Sequence, residues 1–236
     1  VPFPRANYGQ TTAEAGIEPL RIVSANVYYF NNSPEEVVAF IHESDPDILF
    51  LAEMTSAHRM SMADLWDSYP YVVDSGRGNI LLSRLPIESS AVDYHLQQRP
   101  NVLLRTTHEG QPLTIIGAHT HTPMSAAGWQ TRNTHLQKLA TLVQQEANPV
   151  IIVGDFNISP YSPNFTEFLA AGNLKNGRND QGINTTWPNF IPLLRIPIDH
   201  FVATPEISVH QLKSGRYIGS DHRPLITDFS LSRPSE

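Results

Sequence analysis

Short, nearly unbroken apolar runs recur along this chain, and each opens or closes on a polar residue. RIVSAN stops at Asn26, DILFLAE at Glu53 and LTIIGAH at His119. VIIVGDFN passes into Asp155 and Asn157, RIPIDH carries Asp199, and PLITDFSL is entered through Ser220-Asp221-His222. Apolar runs of this length between turn signals read as buried strands, with few positions left to face water. Helical signals interleave with them. Ser33-Pro34-Glu35-Glu36 is a helix start, with a capping residue, proline at the first position and acids in the first turn, and this helix runs to about Glu43, before Asp45-Pro46. A second helix is expected near 56–67. A third lies within Trp129–Glu146, where Leu136, Leu139, Ala140, Leu142 and Val143 recur at helical spacing. Further strands are expected at 71–74, 79–83, 90–95, 101–107, 113–119, 197–203, 207–213 and 225–231. Strands interleaved with helices, with a block of successive strands from 71 to 119, predict an α/β fold of mixed sheets covered by helices.

Residues 1–19 are polar with scattered Pro and Gly and no period, so they read as an extended lead-in or tether. No linker divides residues 20–236, which read as a single domain. Absent cysteines exclude thiolate zinc sites, iron–sulfur clusters, disulfides and cysteine nucleophiles. The balance of 16 Lys+Arg against 23 Asp+Glu gives a net charge of −7, which weighs against a broad non-specific nucleic-acid surface. It leaves room for a local basic patch or a bound cation. No apolar run approaches the ~20 residues of a membrane-spanning helix. The chain opens at Val1 without a signal-peptide pattern.

In a mixed sheet the exit of one strand and the entry of its antiparallel neighbour share a rim, and open α/β sheets bind ligands at such rims. Asn26, Glu53, His119, Asp155, Asn157, Asp199, Asp221 and His222 could therefore converge. Each also has a structural reading. Asn or Asp after a strand forms turns or caps helices. Glu53 is either a solvated rim residue or a ligand, and His119 is either a hydrogen-bonded structural residue or a catalyst. Asp199-His200 could be a surface pair of little weight.

The ordered set Asn26, Leu51-Ala52-Glu53, Gly78-Asn79-Ile80-Leu81-Leu82-Ser83-Arg84, Ala118-His119, Gly154-Asp155-Phe156-Asn157, Ile198-Asp199-His200 and Gly219-Ser220-Asp221-His222-Arg223-Pro224 resembles the endonuclease/exonuclease/phosphatase (deoxyribonuclease I-like) superfamily over about residues 20–232. The closest likeness is to bacterial exported or membrane-tethered members of unknown substrate. This resemblance implies a four-layer α/β sandwich, two packed mixed sheets with helices outside. It implies hydrolysis of a phosphodiester with Mg²⁺ or Mn²⁺, on a nucleic acid or a phospholipid- or sphingomyelin-type head group, by a monomer in an extracytoplasmic setting. It also implies roles. Glu53 is the main metal ligand, with Asn26 and Asp221 beside it. His222 is the general base, oriented by Asp199. Asp155 and Asn157 position nucleophile and phosphate, and His119 contacts phosphate or assists the leaving group, with Asn26 also near the phosphate. Two departures stand out: Ala25 precedes Asn26 where many relatives carry an aromatic, and His121 is an extra imidazole beside His119.

Oxygen-rich ligands and few of them suit Mg²⁺, which keeps several waters. A histidine titrating near neutrality suits proton transfer, and a carboxylate on its other nitrogen fixes the tautomer. The enzymatic rival is a zinc hydrolase built on His119 and His121, completed by Asp155, Asp199, His200 and His222. A serine hydrolase is excluded by the lack of G-x-S-x-G. A catalytically inactive binding module of the same fold is the non-enzymatic rival.

Overall fold

The computed structural model describes residues 18–94 and 98–232. Residues 1–17 of the lead-in expected over residues 1–19 lie outside them, as does the last residue of the strand expected over 90–95.

One sheet runs β11 (Ile207–Ser214), β12 (Leu225–Leu231), β1 (Leu20–Asn26), β2 (Ile48–Ala52), β4 (Ile80–Ser83), β3 (Tyr71–Asp74). The other runs β5 (Ile87–Asp93), β6 (Asn101–His108), β7 (Gln111–Gly117), β8 (Val150–Asp155), β10 (Asp199–Ala203), β9 (Lys175–Asn176). Each sheet is mixed. Its one parallel pair is β1 with β2 in the first sheet and β7 with β8 in the second, and the remaining neighbours are antiparallel.

Strands β1, β2 and β8 are buried along their whole length. Their apolar side chains alternate between two cores. Ile22, Ile48, Phe50, Leu81 and Phe229 from the first sheet meet Leu104, Ile115, Ile151, Val153 and Phe201 from the second. Residues of the opposite parity in the first sheet, such as Val23, Leu49 and Leu51, pack on α1 (Pro34–Ser44), on Met62 at the end of α2 (Ser56–Ser61) and on α3 (Ala63–Ser68). Those in the second, such as Ile116 and Ile152, pack on α4 (Ala126–Gln145) and α5 (Pro163–Gly172). The result is an α/β/β/α sandwich, as the resemblance implied. The two sheets approach closely at Gly117, where a Cβ would lie 2.2 Å from the Phe50 ring, and neighbouring strands crowd at a second glycine. A Cβ on Gly154, at φ 138°, would lie 1.9 Å from the carbonyl oxygen of Ala118, so only glycine lets β8 pass the end of β7 there.

Several local expectations need correction. The single helix over 56–67 is two short helices broken at Met62, whose side chain is fully buried. The strand at 90–95 runs from Ile87 to Asp93 instead. The third helix begins at Ala126, where the Ser125 hydroxyl accepts the Gly128 N–H. The Ser33 side chain makes no cap bond, and Pro34 with Glu35 and Glu36 carries that helix start. Helix α5, strand β9 and a 3₁₀ turn at Pro192–Leu194 were not anticipated.

Candidate functional site

The strand ends converge as the polar residues suggested. Asn26 is the last residue of β1 and pairs in register with Ala52, so Glu53 follows directly on the neighbouring strand. Asp155 is the last residue of β8 and stands opposite Asp199, the first of antiparallel β10. The two groups belong to different sheets and meet through one amide. Asn26 Nδ2 donates to Glu53 Oε1 at 3.1 Å and to Asp155 Oδ2 at 3.2 Å. Asn26 Oδ1 accepts from the Tyr28 N–H. Glu53 sits at φ 61°, a left-handed backbone that is unfavourable for a residue with a side chain. Its Oε2 accepts from the Tyr29 N–H at 2.9 Å.

Across Asp155 stand two imidazoles. His119 Nε2 is 3.5 Å from Asp155 Oδ2 and 3.7 Å from Glu53 Oε1. His222 Nε2 is 3.7 Å from the same Asp155 oxygen, while its Nδ1 donates to Asp199 Oδ2 at 2.8 Å. His222 is reached through a turn in which Ser220 Oγ donates to the Asn26 carbonyl and accepts the His222 N–H. This turn ties the entry of β12 to the end of β1.

Electrostatics separate these groups. Burial alone would disfavour the charged form of His222, but Asp199 and then Asp155 outweigh it and raise its pKa to about 10. Burial pushes Asp199 up, and the positive charge and hydrogen bond of His222 overcome that and hold it below its usual value. Asp155 is raised by burial, against the pull of His222. His119 is lowered well below its ordinary value by burial and then by the charge of Arg99.

Asn157, at φ 49°, turns back on this cluster. Its N–H donates to Asp155 Oδ1 and its side-chain amide donates to the Thr120 carbonyl, leaving one amide hydrogen and the oxygen for other partners. Asp221 faces another wall. Its Oδ2 accepts from Trp187 Nε1 at 3.0 Å, and its Oδ1 is buried without a partner. It lines a hollow of about 430 Å³ with Tyr28, Phe190 and Tyr217. Glu53 and His119 line the neighbouring hollow of about 640 Å³, with Tyr29, Arg77, Arg99 and His121.

Two contributors escaped the sequence. Arg99 places its Nη1 2.7 Å from His119 Nδ1, with its other contact to that ring closer still. It comes from a loop whose sequence, Gln98-Arg99-Pro100, carries no chemical signature. Arg178 bonds the carbonyls of Asp199 and Asn184, bracing the start of β10 from behind. His200 is not at the site. Its Nε2 donates to the Ile158 carbonyl, and its ring packs on Phe156 and Phe165 on the far side of β10. The zinc set that included His200 is therefore divided between two faces of a strand.

Among the described residues, one group of three or more His, Asp or Glu has ligand atoms all within 4.8 Å of one another: Asp155, Asp199 and His222. Next to it, Glu53 adds a carboxylate and Asn26 an amide oxygen. Two buried carboxylate oxygens, Asp199 Oδ1 and Asp221 Oδ1, have no partner, an arrangement that a divalent cation or its water shell would satisfy. The donor set, chiefly oxygen with imidazole nearby, fits Mg²⁺ or Mn²⁺.

A mixed double-sheet sandwich with carboxylates, amides and imidazoles gathered on one rim defines a class, and the chain belongs to it: the Endonuclease/Exonuclease/phosphatase family matches residues 23–222. Members of this family are typically hydrolases of phosphoester bonds and generally depend on a divalent metal. Among relatives, the UPF0294 protein VP2298 of Vibrio parahaemolyticus serotype O3:K6 is 24% identical, covering 90% of this chain and 78% of that protein. Among solved structures, the endonuclease/exonuclease/phosphatase from Bacteroides vulgatus superposes with a TM-score of 0.78 at 16% identity, over 91% of this chain and 100% of that one. D. rerio TDP2 complexed with single strand DNA product gives 0.76 at 18% identity, over 90% and 99%. The endonuclease/exonuclease/phosphatase from Beutenbergia cavernae gives 0.72 at 20% identity, over 91% and 72%. These likenesses establish the shared fold.

Proposed function

We propose that this chain hydrolyses a phosphodiester by a divalent-metal-dependent route in which His222 takes the proton of the attacking water. The observation that carries this reading is the Asp199–His222 hydrogen bond, which leaves His222 Nε2 facing the Asp155 oxygen at the rim. With Nδ1–H committed to Asp199, the neutral ring presents Nε2 as an acceptor, and Asp199 stabilises the imidazolium once the proton has moved. Asp155, raised by burial, orients the water between itself and Nε2. The oxygen of that water forms the new P–O bond as the bond to the leaving oxygen breaks. Asn157 offers its remaining amide hydrogen to a non-bridging oxygen without adding charge. His119, held neutral, lies where it can contact the phosphate or the leaving oxygen, and Arg99 supplies positive charge on the same side.

Glu53 and the Asn26 oxygen, with Asp221 toward the other wall, are the residues that would hold the cation. When bound, the cation neutralises charge on the phosphoryl oxygens and opposes the pull of the two carboxylates that raises His222.

The test is turnover of bis(p-nitrophenyl) phosphate with Mg²⁺, with Mn²⁺, and in chelator. Hydrolysis that is lost in chelator and restored by either ion supports the reading. Full activity of protein holding stoichiometric zinc and no other metal would overturn it.

A further inference from the structure

Residues 187–198, Trp-Pro-Asn-Phe-Ile-Pro-Leu-Leu-Arg-Ile-Pro-Ile, form a loop with no acidic residue and one basic residue. Its apolar side chains between Phe190 and Ile196 are exposed, while Pro188, Pro197 and Ile198 at its base are buried. Leu193 is 98% exposed, Phe190 71% and Leu194 64%, and Ile191 and Ile196 are also exposed. Exposed leucines arrayed on one tip cost solubility and mark a contact surface. The loop's base is fixed. Ile196 and Trp187 pair as an antiparallel bridge, the Asn189 N–H donates to the Asp221 carbonyl at 2.7 Å, and Arg223 Nε donates to Asn189 Oδ1. The apolar tip is thus clamped to the Asp221-His222 turn. Tyr28, Phe190 and Tyr217 meet in the hollow that Asp221 lines, and Tyr29 and Phe30 stand exposed beside it. An apolar collar therefore surrounds one side of the mouth.

We infer that this collar seats on a phospholipid bilayer, the Phe190–Ile196 tip entering the headgroup region, so that a lipid phosphodiester is presented to the Asp221-His222 side of the site. The choice of lipid rests on three observations. First, the tip is aliphatic beyond Phe190, with Ile191, Leu193, Leu194 and Ile196 exposed. Leucine and isoleucine enter a bilayer interface but offer no ring on which a nucleic-acid base could stack. Second, the cations are placed for anionic headgroups. Arg195 lies in the tip and Arg223, bonded to Asn189, at its base, so two guanidinium groups flank the apolar residues where headgroup phosphates would lie. The remainder of the chain carries net negative charge, which suits local contact with headgroups better than the long tracking of a polyanion. Third, the collar borders the opening of the site. A protein partner covering it would obstruct that opening, whereas a bilayer carries phosphodiesters in its own surface. The substrate part of this inference rests on the hydrolytic reading above, and the docking part does not.

The experiment reads binding, so a chain devoid of hydrolytic activity still reports on the docking surface. The whole protein is sedimented with vesicles of equimolar phosphatidylcholine and phosphatidylglycerol at physiological ionic strength. Wild type should pellet with the vesicles. L193D/L194D should lose at least about tenfold in partition, as expected when two leucines no longer enter the apolar phase, with its melting temperature unchanged. Arg195→Glu should weaken binding to the mixed vesicles and spare whatever binding occurs to phosphatidylcholine alone. If the double variant does not fold, Leu193→Ser at the fully exposed tip is read in its place. Wild type left in the supernatant, or variants that pellet as wild type does, would overturn the inference. So would retention of a single-stranded oligonucleotide in place of vesicles, or a dimer that L193D/L194D dissolves while vesicles bind nothing.

Discussion

Asp199 Oδ2 lies 2.8 Å from His222 Nδ1, though the two residues stand 23 positions apart and strand β11 separates them in the chain. Both flank strand entries, one in each sheet, so the bond joins the two halves of the sandwich at the rim. Asp199 is further fixed by Thr186, whose hydroxyl oxygen accepts the Asp199 N–H, and by Arg178 on its carbonyl.

That bond predicts non-additive kinetics. His222→Ala and Asp199→Asn should each lower kcat by roughly 10²–10⁴-fold, the range for losing a general base or its orientation. The double variant should be little slower than His222→Ala, because an orienting carboxylate has no role without its imidazole. Steady-state kinetics on the four proteins of the cycle decide the matter. Losses that multiply would separate the two residues functionally, as would an Asp199→Asn enzyme with wild-type kcat.

Glu53 and Asn26 predict a thermal signature that needs no substrate. A ligand that binds only the folded state stabilises it by RT ln(1 + [L]/Kd), about 2.7 kcal/mol at a hundred times Kd. Adding Mg²⁺ or Mn²⁺ should raise the wild-type melting temperature, and Glu53→Gln should abolish most of that rise. In chelator, the variant should melt at or above wild type, since a carboxylate has been removed from an acidic cluster. A Glu53→Gln protein that melts far below wild type in chelator but binds metal unchanged would make Glu53 a structural residue.

The sequence exposed the site better than it exposed the helices. Asn26, Glu53, Asp155 and Asp199 were legible because a polar residue at the end of an unbroken apolar strand has few reasons to be there. The strands were legible because burial on both faces leaves no polar interruption. Helix α5 has the same Ser-Pro start as α1, but Phe165, Phe168 and Leu169 are too few to show a period among the surrounding prolines and serines. The break at Met62 is a tertiary effect: its side chain packs with Leu65 and Tyr69 behind the first sheet, which no local pattern encodes. Arg99 belongs to the same category, a loop residue whose partner is set only by the folded chain. His200 shows the converse limit. Adjacent to Asp199 in sequence, it points to the opposite face of β10, because successive strand residues alternate.

A buried ion pair holds the far end of the first sheet. Arg21 and Asp228 face each other in register across β1 and β12, joined by two bonds of 2.6 and 2.8 Å, with both side chains almost fully buried. Arg21 also donates to the Ser44 carbonyl, which secures the end of α1. Asp228→Asn should cost about 3–5 kcal/mol, because it removes the carboxylate that pairs in two bonds with a buried guanidinium. Replacing both partners by Met and Leu should cost far less. Urea unfolding of the two variants provides the comparison, and a single variant no worse than the double would mean the pair is solvated in solution.

The last prediction concerns acid. His135 on α4 is buried against the second sheet, where its Nε2 donates to Asn101 Oδ1 at 2.8 Å and its Nδ1 has no partner. Burial lowers its pKa to about 4. Asp93 on β5 pulls the other way, while Arg99 from the loop before β6 and Lys138 from its own helix add to the lowering. His119, at the end of β7, also faces it. The unfolded chain takes up this proton near 6.5 and the folded chain only near 4, so between those values the unfolded state binds more protons. Stability from this site is therefore fully present above pH 6.5, declines as pH falls, and is gone below about 4, a loss of about 3 kcal/mol. His135→Gln, which keeps a donor for Asn101, should flatten that limb. Its stability deficit at pH 7 should shrink or reverse by pH 4, measured by denaturant titration across the range. Parallel curves for the two proteins from pH 7 to 4 would show that His135 already carries its proton in the folded state.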